Sequence, residues 1–143
     1  MQLECRWLPK IMTSNLVFIL EDELRDRQVF ELRIGDIGYT AVSYSYTLDA
    51  IIGFNKAGDV YAAYFLDMRV PFAPKEEPEY TGGLEVRQHL IERKVNPNKI
   101  FLMSTGVSHN DEVAAREYGV DPRQIIGKDR FTENMLRELL DVK

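Results

Sequence analysis

The chain is poor in cysteine. Its single one, Cys5, excludes an internal disulfide framework and a zinc site built on cysteines. It also suits a reducing, cytosolic compartment. The two histidines, His89 and His109, are isolated in sequence. Basic residues are in deficit, with 18 Lys and Arg against 23 Asp and Glu. The resulting acidic surface argues against nucleic acid as a partner. No apolar run approaches the roughly 20 residues of a membrane span, so no membrane partner is expected. Met1 to Lys10 holds Glu4 and Arg6 and no apolar stretch, so no signal peptide is expected there. Repeats and low-complexity tracts are absent. Against these absences, apolar residues make up 45% of 143 positions. That is enough for the core of one ordinary domain and too many for global disorder.

The apolar segments come in two kinds that alternate. Leu16 to Leu20 (LVFIL), Val60 to Leu66 (VYAAYFL) and Lys99 to Met103 (KIFLM) are short continuous runs, the pattern of strands buried on both faces. Thr40 to Tyr46 and Gln124 to Gly127 are weaker strand candidates. Between them lie mixed segments that suit helices: Asp22 to Asp36 with Asp22 as cap, Thr47 to Lys56 ending before Gly58, Gly83 to Arg93, and Asn110 to Tyr118. In the last of these, Val113, Ala114 and Tyr118 fall on or near one face. Phe131 to Val142 is the clearest amphipathic helix, with Met135, Leu136, Leu139 and Leu140 on one stripe. Five strands alternating with five helices imply an α/β fold, a five-stranded parallel sheet with helices on both faces. The tyrosines at 39, 44, 46, 61 and 64 read as core and sheet-face residues.

In such folds the site lies at the carboxyl ends of the strands. Glu21, Asp22 and Glu23 follow the first strand, Asp67 the third, Ser104, Thr105 and Gly106 the fourth, and Lys128 the fifth. A parallel sheet brings these to one rim. Clustered carboxylates repel unless a cation joins them, and hard oxygen ligands favour Mg²⁺. An Asp can attack phosphorus to give an acyl phosphate. A lysine and a hydroxyl supply the donors that phosphoryl charge requires.

These residues give the sequence a resemblance to the receiver domains of two-component response regulators, covering roughly Leu16 to Leu140. It rests on Glu21-Asp22 in ILEDE, Asp67 in FLDMRVP, the GLEV run starting at Gly83, Thr105 in MSTG and Lys128 in IIGK. The resemblance implies a (βα)5 flavodoxin-like fold over residues 16–143, preceded by an N-terminal extension, 1–15. It implies a single-domain receiver in which Asp67 accepts a phosphoryl group from a sensor histidine kinase or phosphotransfer protein. Asp22, Asp67 and the Arg69 backbone carbonyl would ligate Mg²⁺, with Glu21 acting mainly through a metal-bound water. Thr105, preferred to Ser104 because Gly106 follows it, would turn its hydroxyl to the phosphoryl group, and Lys128 would pair with that group. Output would pass to a downstream protein partner, by docking or phosphorelay, and a homodimer is compatible with the resemblance.

Four features depart from the family's pattern. Asp129 replaces the proline after the lysine and can compete for Lys128. Ile125 replaces the switch aromatic three residues before the lysine. Pro71 to Thr81 (PFAPKEEPEYT) is a longer loop than usual, and the extension before the first strand is additional. Ile125 and Asp129 favour an alternative, a pseudo-receiver acting as an interaction module without phosphorylation. An enzyme is the third possibility. Dehalogenase-type phosphatases need a second Asp two residues after the nucleophile, and Arg69 stands there. A receiver-derived phosphohydrolase would recruit His109 or Asn110. His89 reads as a residue of a solvated helix face, and Lys75-Glu76-Glu77 as a solvated loop.

Overall fold

The computed structural model describes residues 14–140. The expectations for Cys5, for the absence of a signal peptide, for most of the 1–15 extension and for the end of the last helix lie outside the described residues.

The LVFIL run forms β1 (Leu16–Leu20), whose last four residues are buried. Its parallel neighbours are β2 (Thr40–Tyr44) and β3 (Ala63–Asp67). Beyond β3 lie β6 (Ile100–Ser104) and β7 (Ile125–Gly127), also parallel, so the sheet order is β2-β1-β3-β6-β7. Each parallel step requires a crossover, and the sequence supplies helices for them: α1 (Leu24–Asp36), α2 (Thr47–Ala57), α3 (Gly82–Glu92) and α4 (His109–Glu117), with α5 (Glu133–Leu139) after the last strand. This is the expected five-stranded parallel α/β architecture.

Alternation along the strands divides the core in two. Phe18, Leu20, Tyr64, Leu66 and Leu102 face one way, covered by Ala50 and Phe54 of α2, Leu84, Val86 and Leu90 of α3, and Ala114 and Ala115 of α4. Val17, Ile19, Phe65 and Met103 face the other, under Phe30 and Ile34 of α1 and Leu136 of α5. Phe65 anchors the second core, with the rings of Phe30, Phe101 and Phe131 at 5.0, 5.1 and 5.5 Å. On the other side Phe18 sits among Tyr44, Tyr61 and Tyr64 at 5.0–5.2 Å. The predicted α5 stripe is the one that packs.

Several boundaries differ from the sequence expectation. Glu23, not Asp22, caps α1, its side chain accepting from the Asp26 N–H at 2.8 Å. Val60 is exposed in a turn rather than starting the third strand. Val113 points outward, and α4 buries Ala114 and Ala115 instead. Thr132 caps α5, so that helix starts later than Phe131, which is buried beyond a 3-10 turn at Lys128–Arg130. The proline-rich segment folds back on itself as a two-stranded antiparallel hairpin, β4 (Val70–Pro71) with β5 (Pro78–Glu79). Lys75, Glu76 and Glu77 are exposed at its turn, as expected. Among the described residues no helix is long and apolar enough to cross a membrane.

Candidate functional site

The register Leu20↔Leu66 aligns the ends of β1 and β3. Glu21, the next residue after β1, therefore reaches Asp67, the last residue of β3. Asp22 joins them: one carboxylate oxygen from each lies within 4.8 Å of the others. Glu21 is 2% exposed and Asp67 5%, while Asp22 is half-buried. Lys128, just past β7, spans the gap. Its Nζ lies 2.7 Å from Glu21 Oε1 and 3.0 Å from Asp67 Oδ2. The remaining oxygens are held by backbone donors. The Arg69 N–H donates to Asp67 Oδ1 at 3.1 Å, and the Glu23 N–H to Glu21 Oε2 at 3.2 Å. Both buried carboxylates are thus fixed in orientation from two sides.

The electrostatics follow from this packing. Burial, reinforced by the charge of Asp67, pushes the Glu21 carboxyl up to about 8. Burial also raises Asp67, against the opposing pull of Lys128. Asp22 is raised by burial and by the charge of Glu21. Burial works against the Lys128 ammonium, but the carboxylates of Asp67 and Glu21 outweigh it and hold Lys128 firmly charged. One ammonium does not neutralise three acids. A hard divalent cation would complete the balance, and the all-oxygen donor set fits Mg²⁺.

Thr105 and Ser104 are separated by their surroundings. Ser104 is buried, and its hydroxyl lies between the Gly106 carbonyl at 3.1 Å and Asp111 Oδ2 at 3.2 Å. Asp111 is itself fully buried and closes a reciprocal cap with Ser108 at the start of α4. Ser104 is therefore committed to holding the loop. Thr105 is exposed and lines the cleft, of ≈ 230 Å³, that also contains Glu21, Asp22, Asp67 and Lys128. Arg69 lines that cleft too. Its guanidinium rests over the Tyr80 ring at 4.6 Å, which ties the end of the hairpin segment to the rim.

Two expectations need correction. Asp129 makes no contact with the Lys128 ammonium, whose carboxylate partners are Glu21, Asp67 and Asp26. His89 is not simply solvated: it accepts or donates a 2.8 Å hydrogen bond with Asn55 and packs edge-on against Phe54. His109 and Asn110 are exposed at the start of α4 and do not line the cleft. Sequence reasoning missed Asp26, at 3.2 Å from the Lys128 Nζ. Its position one helical turn after Asp22 was the available signal.

No protein-family model and no curated protein matches the sequence. Solved structures do match. Vibrio cholerae chemotaxis protein CheY4 aligns with a TM-score of 0.63 at 19% identity, over 91% of this chain and 99% of that one. The receiver domain of the sensor histidine kinase PA1611 from Pseudomonas aeruginosa gives 0.67 at 15%, over 90% and 95%. The BeF3-activated receiver domain of Klebsiella pneumoniae RstA gives 0.65 at 16%, over 89% and 97%. The chain has the receiver fold. In the PA1611 receiver a magnesium ion is coordinated in the active-site cleft. The receiver fold accounts for the sheet order found here.

Proposed function

We propose that the protein is a phosphoacceptor signalling domain, a cytosolic response-regulator receiver in which Asp67 takes up a phosphoryl group in a Mg²⁺-dependent manner. The reading is carried by one observation: the Lys128 ammonium bridges Glu21 and Asp67 at the floor of the cleft. A carboxylate oxygen of Asp67 attacks the phosphorus of a histidine kinase, a phosphotransfer protein or a small phosphodonor. The bond from phosphorus to the donor breaks, and an acyl phosphate remains on Asp67. Lys128 donates to the phosphoryl oxygens as charge develops, and the Arg69 N–H holds the other Asp67 oxygen in place. Asp22 and Asp67, with the Arg69 carbonyl, would hold the Mg²⁺, and Glu21 would act mainly through a metal-bound water. The ion supplies the positive charge that lets the carboxylates and an incoming phosphate share one cleft. The Thr105 hydroxyl, exposed and without a hydrogen-bond partner among the described residues, is available to the phosphoryl group. Its movement would pass the change to the start of α4 and on to a downstream protein partner.

Intact-mass measurement after incubation with acetyl phosphate and Mg²⁺ tests this. One added phosphoryl group is expected, absent from Asp67→Ala and from an EDTA control. No gain in a protein that binds Mg²⁺ would favour the second reading, a pseudo-receiver that binds partners without phosphorylation. One feature supports that second reading: buried Ile125 stands where receivers carry a switch aromatic.

A further inference from the structure

We propose that Asp26 is a positioning residue for Lys128, a tether that restrains the ammonium from following a phosphoryl group formed on Asp67. The inference rests on the phosphoacceptor reading and adds a regulator of the same site.

An ammonium has three N–H donors and no acceptor. The Lys128 Nζ already faces three carboxylate oxygens: Glu21 at 2.7 Å, Asp67 at 3.0 Å and Asp26 at 3.2 Å. All three donors are engaged, and a phosphoryl group formed on Asp67 Oδ2 would carry that acceptor outward, so Lys128 must shift to keep it and stretch its other bonds. The three partners are unequal. The Glu21 and Asp67 side chains are 2% and 6% exposed, and each has its second oxygen on a backbone N–H. The Asp26 side chain is 43% exposed. Water can replace Lys128 at Asp26 at little cost, whereas Glu21 is buried away from water and the Asp67 contact passes to the phosphoryl oxygens, so the Asp26 bond is the one that yields.

Asp26 is also well held for this role. Its N–H donates to the capping carboxylate of Glu23, which fixes its backbone in the first turn of α1. An acid in a first helical turn is favoured by the helix dipole alone, but that preference is met by any orientation. Here the side chain turns instead to a lysine 102 residues away along the chain. The Asp26–Lys128 bridge stands between the cleft of Glu21, Asp22 and Asp67 and a second cavity lined by Val29, Phe30 and Met103. Both residues line both spaces, so opening the bridge leaves Lys128 room to move.

The test is titration with beryllofluoride, a phosphoryl mimic, by calorimetry at saturating Mg²⁺. Asp26→Asn would be compared with Asp129→Asn. Each removes one charge beside Lys128, but only Asp26→Asn removes a partner of its ammonium. Asp26→Asn should bind beryllofluoride about two- to five-fold more tightly than Asp129→Asn, the factor expected from releasing a surface-exposed ion pair. Asp26→Glu, which restores a carboxylate, should return toward the parent. Equal affinities in the two neutral variants, or weaker binding by Asp26→Asn, would overturn the role of Asp26 alone. Failure of the parent protein to bind beryllofluoride while it binds Mg²⁺ would overturn the phosphoacceptor reading, and this inference with it.

Discussion

Gly83 lies against the carbonyl oxygen of Asp67, so close that a Cβ built on it would overlap that oxygen. The first turn of α3 thus lies on the backbone that carries the central acid, and the Gly83 N–H donates to the Met68 carbonyl at 3.2 Å. Gly83→Ala should destabilise the fold by about 1–3 kcal/mol, the range for overpacking a close contact. Because the strain falls on Asp67, Mg²⁺ affinity should fall as well. Urea denaturation and a Mg²⁺ titration of the same variant check both.

The raised carboxyls give stability a defined pH dependence. A group whose pKa rises on folding keeps its proton in the folded state where the unfolded chain has lost it. Its stabilising contribution is complete below the ordinary glutamate range and fades as pH climbs toward about 8 for Glu21. Asp67 and Asp22 act in the same sense. The metal-free protein should therefore lose stability from mildly acidic to mildly alkaline pH. Mg²⁺ should raise the melting temperature by more at pH 8 than at pH 6, a difference of several degrees in a thermal scan. Equal gains at the two pH values would contradict it.

Removal of the ammonium should be costly without a cation. In Lys128→Met the buried Glu21 and Asp67 lose their shared partner, and about 2–4 kcal/mol of stability should go with it. Mg²⁺ should recover most of that loss, so the variant's melting temperature should depend on Mg²⁺ more steeply than the parent's.

Adjacent hydroxyls should behave differently. Ser104→Ala deprives buried Asp111 of a donor and should cost about 1–3 kcal/mol, with acetyl phosphate reactivity retained in the folded fraction. Thr105 is exposed, so Thr105→Ala should stay within about 0.5 kcal/mol of the parent. Its effect should appear instead in partner binding after phosphorylation. Chemical denaturation and mass measurement on the pair separate the two roles.

The architecture was legible because a strand covered on both faces must be a continuous apolar run, as LVFIL and KIFLM are. The hairpin was not. Its strands are two residues each and contain prolines, so Val70–Pro71 and Pro78–Glu79 read as loop. Val60 looked like strand because it is apolar, but it faces solvent before β3 begins. The meeting of the residues after each strand was legible, since parallel pairing brings Glu21, Asp67 and Lys128 together. Asp26 escaped notice because an acid in a first helical turn has an ordinary explanation. Ser104 could not be told from Thr105 by spacing, since its commitment depends on Asp111, which only the folded α4 delivers.

The meeting of Glu21, Asp22 and Asp67 under a single lysine makes this end of the sheet a place where the sequence works against its own fold. A sequence optimised on this backbone for stability alone would exchange Glu21 for glutamine or an apolar residue. Selection of variants for heat resistance, with no ligand present, should therefore erode the acids before it touches the aromatic cores. The same selection under Mg²⁺ should spare them.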